Sequence, residues 1–187
     1  AFVYQTCDDL WIDYRNCQET DLVTQIFLDA ILLEIDCFIE NCKKANIYDK
    51  YVRLASIGGK NMNNSSVRRL LNSVGSPAVL LNRQILYRDI IPYRLKRFDG
   101  KNLSHSSLLA QKEIDTTTLL DYVNSCLSRV KKSLNREAMK DLGYVVGETL
   151  INAEEHSSLR YRYLIGYFEE CTEDNRHFGM LNLVILN

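Results

Sequence analysis

The chain reads as an α+β protein in two units, and three observations predict this. Residues 1–82 alternate strand-like and helical patterns in the order βαβα. Residues 108–187 run helix, helix, strand, strand, with a β-rich connector and polar linker over 83–107. With 187 residues, 46% hydrophobic and 25% charged, the composition is ordinary for folded domains, which excludes a disordered tail or a fibrous repeat.

Leu10 to Cys17 alternates as a strand, with Leu10, Ile12 and Tyr14 on one side and Trp11, Asp13 and Arg15 on the other. Thr20 and Asp21 form a helix start. From there Leu22, Val23, Ile26, Phe27, Ala30, Ile31, Leu33 and Phe38 recur at helical spacing, and Lys43 and Lys44 suit the negative end of the helix dipole. Tyr51 to Ile57 is a second strand stopped by Gly58 and Gly59. Asn64 or Ser65 caps a short helix ended by Gly75 and Pro77. A helical crossover makes the two strands parallel neighbours.

In the connector, Pro92 confines the strand within Ile85–Phe98 to an edge or a kinked position. Asp99 to Ser107 reads as linker. Thr116 or Thr118 starts a helix through Leu119, Leu120, Val123, Leu127 and Val130. A second helix covers about Arg136 to His156, capped by Asn135, with Met139, Leu142, Val145, Val146 and Leu150 as its apolar face. Strands over Arg160–Glu169 and Phe178–Leu186 follow, joined by the polar turn Cys171–His177.

Charge and cysteine usage narrow the chemistry. A net charge of -1 draws the chain to neither nucleic acid nor an anionic membrane. Six scattered cysteines without a C-x-x-C pair argue against a zinc site and for reduced thiols in a cytoplasmic protein. The most apolar helix is interrupted by Asp29, Glu34 and Asp36, so it is a core helix rather than a membrane span. AFVYQTCDDLW lacks the pattern of a signal peptide.

The chemistry concentrates in the helix ending near His156. Glu148, Asn152 and His156 lie at i, i+4 and i+8 and share a face, drifting about 40° per step. A carboxylate and an amide one turn apart can orient a water and complete a magnesium shell whose other ligands are waters and phosphate oxygens. The bland alternative is a solvated polar face.

The segment E-x-x-x-N-A-x-x-H resembles the N-box of the GHKL (Bergerat-fold) ATPases, whose members include histidine kinases, gyrase and anti-sigma-factor serine kinases. The resemblance implies that Asn152 coordinates magnesium, that Glu148 is the catalytic or water-orienting carboxylate, and that Ala153 and His156 line the nucleotide side. It also implies ATP and Mg2+ as ligands, with two antiparallel strands after the helix and then a D-x-G-x-G box. The last residue, Asn187, stands where the adenine-reading aspartate is expected. Residues 108–187 would then be the front half of such a domain, in a fragment that by itself binds ATP poorly. Residues 1–82, with VRRLLNSVG at their last helix, resemble STAS-like modules, which implies a protein partner for that unit.

Three other features weigh less. Gly58-Gly59-Lys60 is not a phosphate loop, because that motif needs glycine where Leu54 stands and Ser or Thr where Asn61 stands. Arg83, Arg88, Arg94, Lys96, Arg97 and Lys101 alternate with Tyr87, Tyr93 and Phe98 as a nucleic-acid stripe would, but in a chain of this charge they read as a solvated strand face or a domain contact. Ser104, Ser106 and Ser107 beside His105 lack a placed acid and read as linker. The alternative function is a non-catalytic, STAS-like interaction module.

Overall fold

A computed structural model describes residues 9–45, 56–80, 85–99, 104–155 and 161–186. The protein is mixed α+β, and it divides into two compact units, Ala1–Leu86 and Tyr87–Asn187.

The first unit is built on two parallel strands, β1 (Asp9–Asp13) and β2 (Ser56–Lys60), joined through α1 (Leu22–Lys44). As the alternation predicts, Ile12, Leu10 and Tyr14 face the core while Trp11, Asp13 and Arg15 face outward. The strand stops earlier than Cys17. The Asp13 carboxylate accepts from the Arg15 amide, and the Cys17 amide bonds back to the Tyr14 carbonyl, closing a turn. Asp21 caps α1 by accepting from the Thr24 amide at 2.7 Å.

The second strand differs most from its sequence pattern. Of the predicted span, residues 51–55 lie outside the described residues. Gly58 and Gly59 pair with Trp11 and Ile12 inside β2 rather than stopping it. Gly58 and Gly59 are buried and a short helix, α3 (Pro77–Leu80), packs against β2, a close approach that small residues permit. Asn64 caps α2 (Ser65–Val74), and Gly75 ends it in the left-handed region with φ 65. Pro77 opens α3, where its missing N–H costs no hydrogen bond. Leu32, Ile39, Ile57, Val67, Leu71 and Val79 close one core around these elements.

The second unit is an antiparallel sheet of order β3–β4–β5, comprising β3 (Ile90–Asp99), β4 (Tyr161–Glu173) and β5 (Arg176–Leu186). Pro92 sits on the edge strand β3, as predicted, and the register shifts between Tyr93 and Lys96. The expected seven-residue turn is a tight one. Asp174 and Asn175 take φ of 50 and 62, the two left-handed residues of a hairpin turn that matches strand twist. At Gly179 an added Cβ would lie 2.0 Å from the Phe168 ring, so that glycine makes room for the largest fully buried side chain.

Two helices complete this unit, α4 (His105–Arg129) and α5 (Arg136–Glu155). α4 begins about three turns earlier than expected, because Ser104 accepts from the Ser107 amide and caps it. Its first turns carry Gln111 and Asp115 on the inner side, where they are satisfied by hydrogen bonds, so no apolar stripe announced them. β3 is thus a full member of the sheet, and the division of units falls at 86/87. Asn135 caps α5 through the Ala138 amide, as expected. Tyr93, Leu119 and Leu164 form the core between α4 and the sheet, joined by Val146 of α5.

Candidate functional site

The buried side of α5 is made by Gly147, Leu150 and Ala153, with Leu150 fully enclosed. Val145, assigned to the apolar face, is instead 60% exposed, beside Tyr144 at 70%. At about 100° per residue, that outward face also carries Glu148 and Asn152.

Glu148 is half-exposed and stands at an open groove of about 370 Å³ between α4 and α5, lined in part by Lys112, Thr116, Tyr144 and Gly147. Asn152 is exposed one turn further along the same face and is not among the lining residues of that groove. Ala153 turns inward, about 100° from Asn152, and its methyl group is buried. His156 and Asn187 lie outside the described residues. The helix therefore brings Glu148 and Asn152 together and places Ala153 on its packed side.

Lys112 is the neighbour that sequence analysis missed. Its Nζ lies 3.9 Å from Glu148 Oε1, and its Cε lies 2.8 Å from where a Cβ on Gly147 would stand. The missing side chain at Gly147 lets the lysine stem cross α5 and deliver its charge beside the carboxylate. The only available signal was a lysine one helical turn before Thr116, in a stretch read as preceding the helix.

Lys112 also lines a smaller cavity of about 160 Å³, together with Phe98, Leu108, Leu150, Ile151, His105 and Arg162. Arg162 is buried. It pairs with Asp115, donating a short hydrogen bond, and its guanidinium lies 4.9 Å from the Phe98 ring centre. Gln111 supplies a second donor to Asp115. Tyr122 donates to the Ile91 carbonyl at 2.7 Å, and burial pushes its phenol well above the usual range.

The basic stripe of β3 is engaged with aromatic rings. Lys96 lies over Tyr93 and Arg97 over Tyr161, at 4.9 Å and 4.5 Å. Arg83 and Lys101 lie outside the described residues. Among the described residues no group of three or more His, Cys, Asp or Glu side chains could hold a metal ion, and no disulfide joins the described cysteines. No described helix is long and apolar enough to cross a membrane.

In the first unit the notable group is buried. Asp29, fully enclosed, accepts from Ser76 Oγ at 2.6 Å and from Gln25 Nε2 at 2.7 Å. Burial pushes its carboxyl up to about 6 against the pull of those two hydrogen bonds. Its Oδ2 has no hydrogen-bond partner among the described residues.

No protein-family model, curated protein sequence or solved structure matches this chain.

Proposed function

We propose that residues 108–187 belong to a GHKL-type ATPase that binds Mg-ATP in bacterial signalling, for hydrolysis or phosphoryl transfer, and that residues 1–82 form a STAS-like module contacting a protein partner. One observation carries the reading: Glu148 and Asn152 stand one turn apart on the outward face of a 20-residue helix, within E-x-x-x-N-A-x-x-H, with Glu148 at an open groove.

The donor set suits magnesium that arrives with its polyphosphate. One amide oxygen and one carboxylate fall short of a protein cage, and Mg2+ keeps waters and phosphate oxygens in its shell. Bound there, the ion would neutralise phosphate charge. Asn152 would hold it, and Glu148 would orient or deprotonate the attacking group. Lys112 holds the Glu148 carboxylate from the groove side and adds a cation where phosphate would approach.

The test uses the longest natural product containing these 187 residues. Asn152→Ala is expected to abolish magnesium-dependent ATP binding in calorimetry. Glu148→Gln should keep binding and lose turnover by about a hundredfold or more, the usual size of a general-base contribution. Unchanged affinity and turnover in both variants would end the proposal.

A second reading, a non-catalytic interaction module, is favoured by the surface of α1. Val23, Phe27, Ile31 and Phe38 are 53%, 53%, 57% and 43% exposed along one helical stripe, an apolar surface of the kind partners cover.

A further inference from the structure

The first unit holds a cleft that the ATPase reading does not use. It opens at the carboxyl end of β2, with a volume of about 630 Å³, within the range of small-ligand sites. In sheets with parallel strands, ligands gather outside the carboxyl ends of the strands, where loops converge. Here β2 ends at Lys60, Asn61 turns the chain with φ 59, and the path continues into α2.

The lining is polar on one side and apolar on the other. Lys60 and Arg68 bring two cations, and Asn61, Asn63 and Asn72 bring amides, with no carboxylate among the described lining residues. Val79 and Ile85 contribute to an apolar wall. The polar side is held in place. Arg68 donates from Nε to the Met62 carbonyl at 3.1 Å, which fixes its guanidinium over the loop. Asn72 donates to the Arg68 carbonyl and accepts from the Ile85 amide, bracing the far end.

Asp13, outside the lining, accepts from Asn61 Nδ2 at 3.0 Å, pairs with Arg15 and feels the charge of Lys60 only weakly, as the smallest of the effects that lower its carboxyl. The helix end is not the donor. The Asn64 side chain already accepts from the Ser66 and Val67 amides, so the two side-chain cations carry the anion affinity.

We propose that this cleft binds a small phosphate ester, with the phosphate between Lys60 and Arg68 and the organic part against Val79 and Ile85. The guanidinium, held through Nε and Nη2 by the Met62 and Asn63 carbonyls, keeps its remaining N–H donors for phosphate, and the lysine adds a mobile point charge. The proposal does not rest on the ATPase reading.

The test is a titration of the 187-residue protein with inorganic phosphate and, separately, with AMP, following amide shifts of residues 59–63 and 68 by NMR. Both should give saturable shifts, with AMP tighter because it also covers the apolar wall, and affinity should fall as salt rises. Lys60→Gln, at an exposed side chain with no hydrogen bond to lose, and Arg68→Gln should each weaken AMP by about tenfold. Asn152→Ala should leave these shifts unchanged, separating this cleft from the ATPase site. No saturable shift, a phosphate response without an AMP response, or equal midpoints in wild type and Lys60→Gln would overturn the proposal.

Discussion

Each unit encloses an aspartate, and the two solve the same electrostatic problem differently. Asp29 of the first unit accepts from the neutral donors Gln25 and Ser76, with no cation beside it among the described residues, and its carboxyl stays protonated up to about pH 6. Asp115 of the second unit keeps a side chain 20% exposed and meets the guanidinium of Arg162, itself only 6% exposed. A neutral solution ties stability to pH. An ionic one ties it to the survival of the partner. The difference lies in the donors, a neutral amide and hydroxyl at Asp29 and a guanidinium at Asp115.

The largest expected effect breaks the ionic solution. Asp115→Ala removes the carboxylate paired with the enclosed Arg162 guanidinium and should cost up to about 3–5 kcal/mol, read as loss of amide protection in β4 and α4. The neutral solution responds to pH instead. Because the folded carboxyl of Asp29 titrates above its ordinary value, its contribution is complete below pH 3.8 and is lost as pH rises through about 6. Over that window the first unit should lose at most about 3 kcal/mol in denaturant unfolding, and Asp29→Asn should flatten the profile. If the profile of the wild type is already flat, the neutral description of Asp29 is wrong.

Smaller changes sharpen the contrast. Arg162→Lys keeps the charge and loses the planar fork, so the second unit should weaken by about 2 kcal/mol in thermal unfolding. Lys112→Met removes the exposed pair with Glu148 and should change stability by less than about 1 kcal/mol. That variant therefore isolates any part Lys112 plays in ATP turnover from a loss of fold.

Legibility in the sequence followed local chemistry. Caps at Asp21, Asn64 and Asn135, the Gly75 helix end and the edge placement of Pro92 were readable because each rests on a residue's own backbone preference. The start of α4 was hidden because Gln111 and Asp115 occupy inward positions, and the donor that makes them tolerable, Arg162, lies 47 residues beyond Asp115. Gly58 and Gly59 read as a stop because α3, the element packed against β2, has only four residues and no periodicity to announce it. At the candidate site, the pair Glu148 and Asn152 followed from helical spacing. Lys112 could not, since its position beside Glu148 depends on the crossing of two helices at Gly147.

The two margins of the antiparallel sheet are chemically unequal. Along β3, Pro92 removes a main-chain donor, while Arg94, Lys96 and Arg97 put positive charge along the border. β5 has no proline and carries its one arginine, Arg176, at its first position, and its Phe178, Met180 and Leu181 are 40%, 46% and 38% exposed. Among the described residues, addition of another extended chain is therefore opposed more strongly along β3 than along β5.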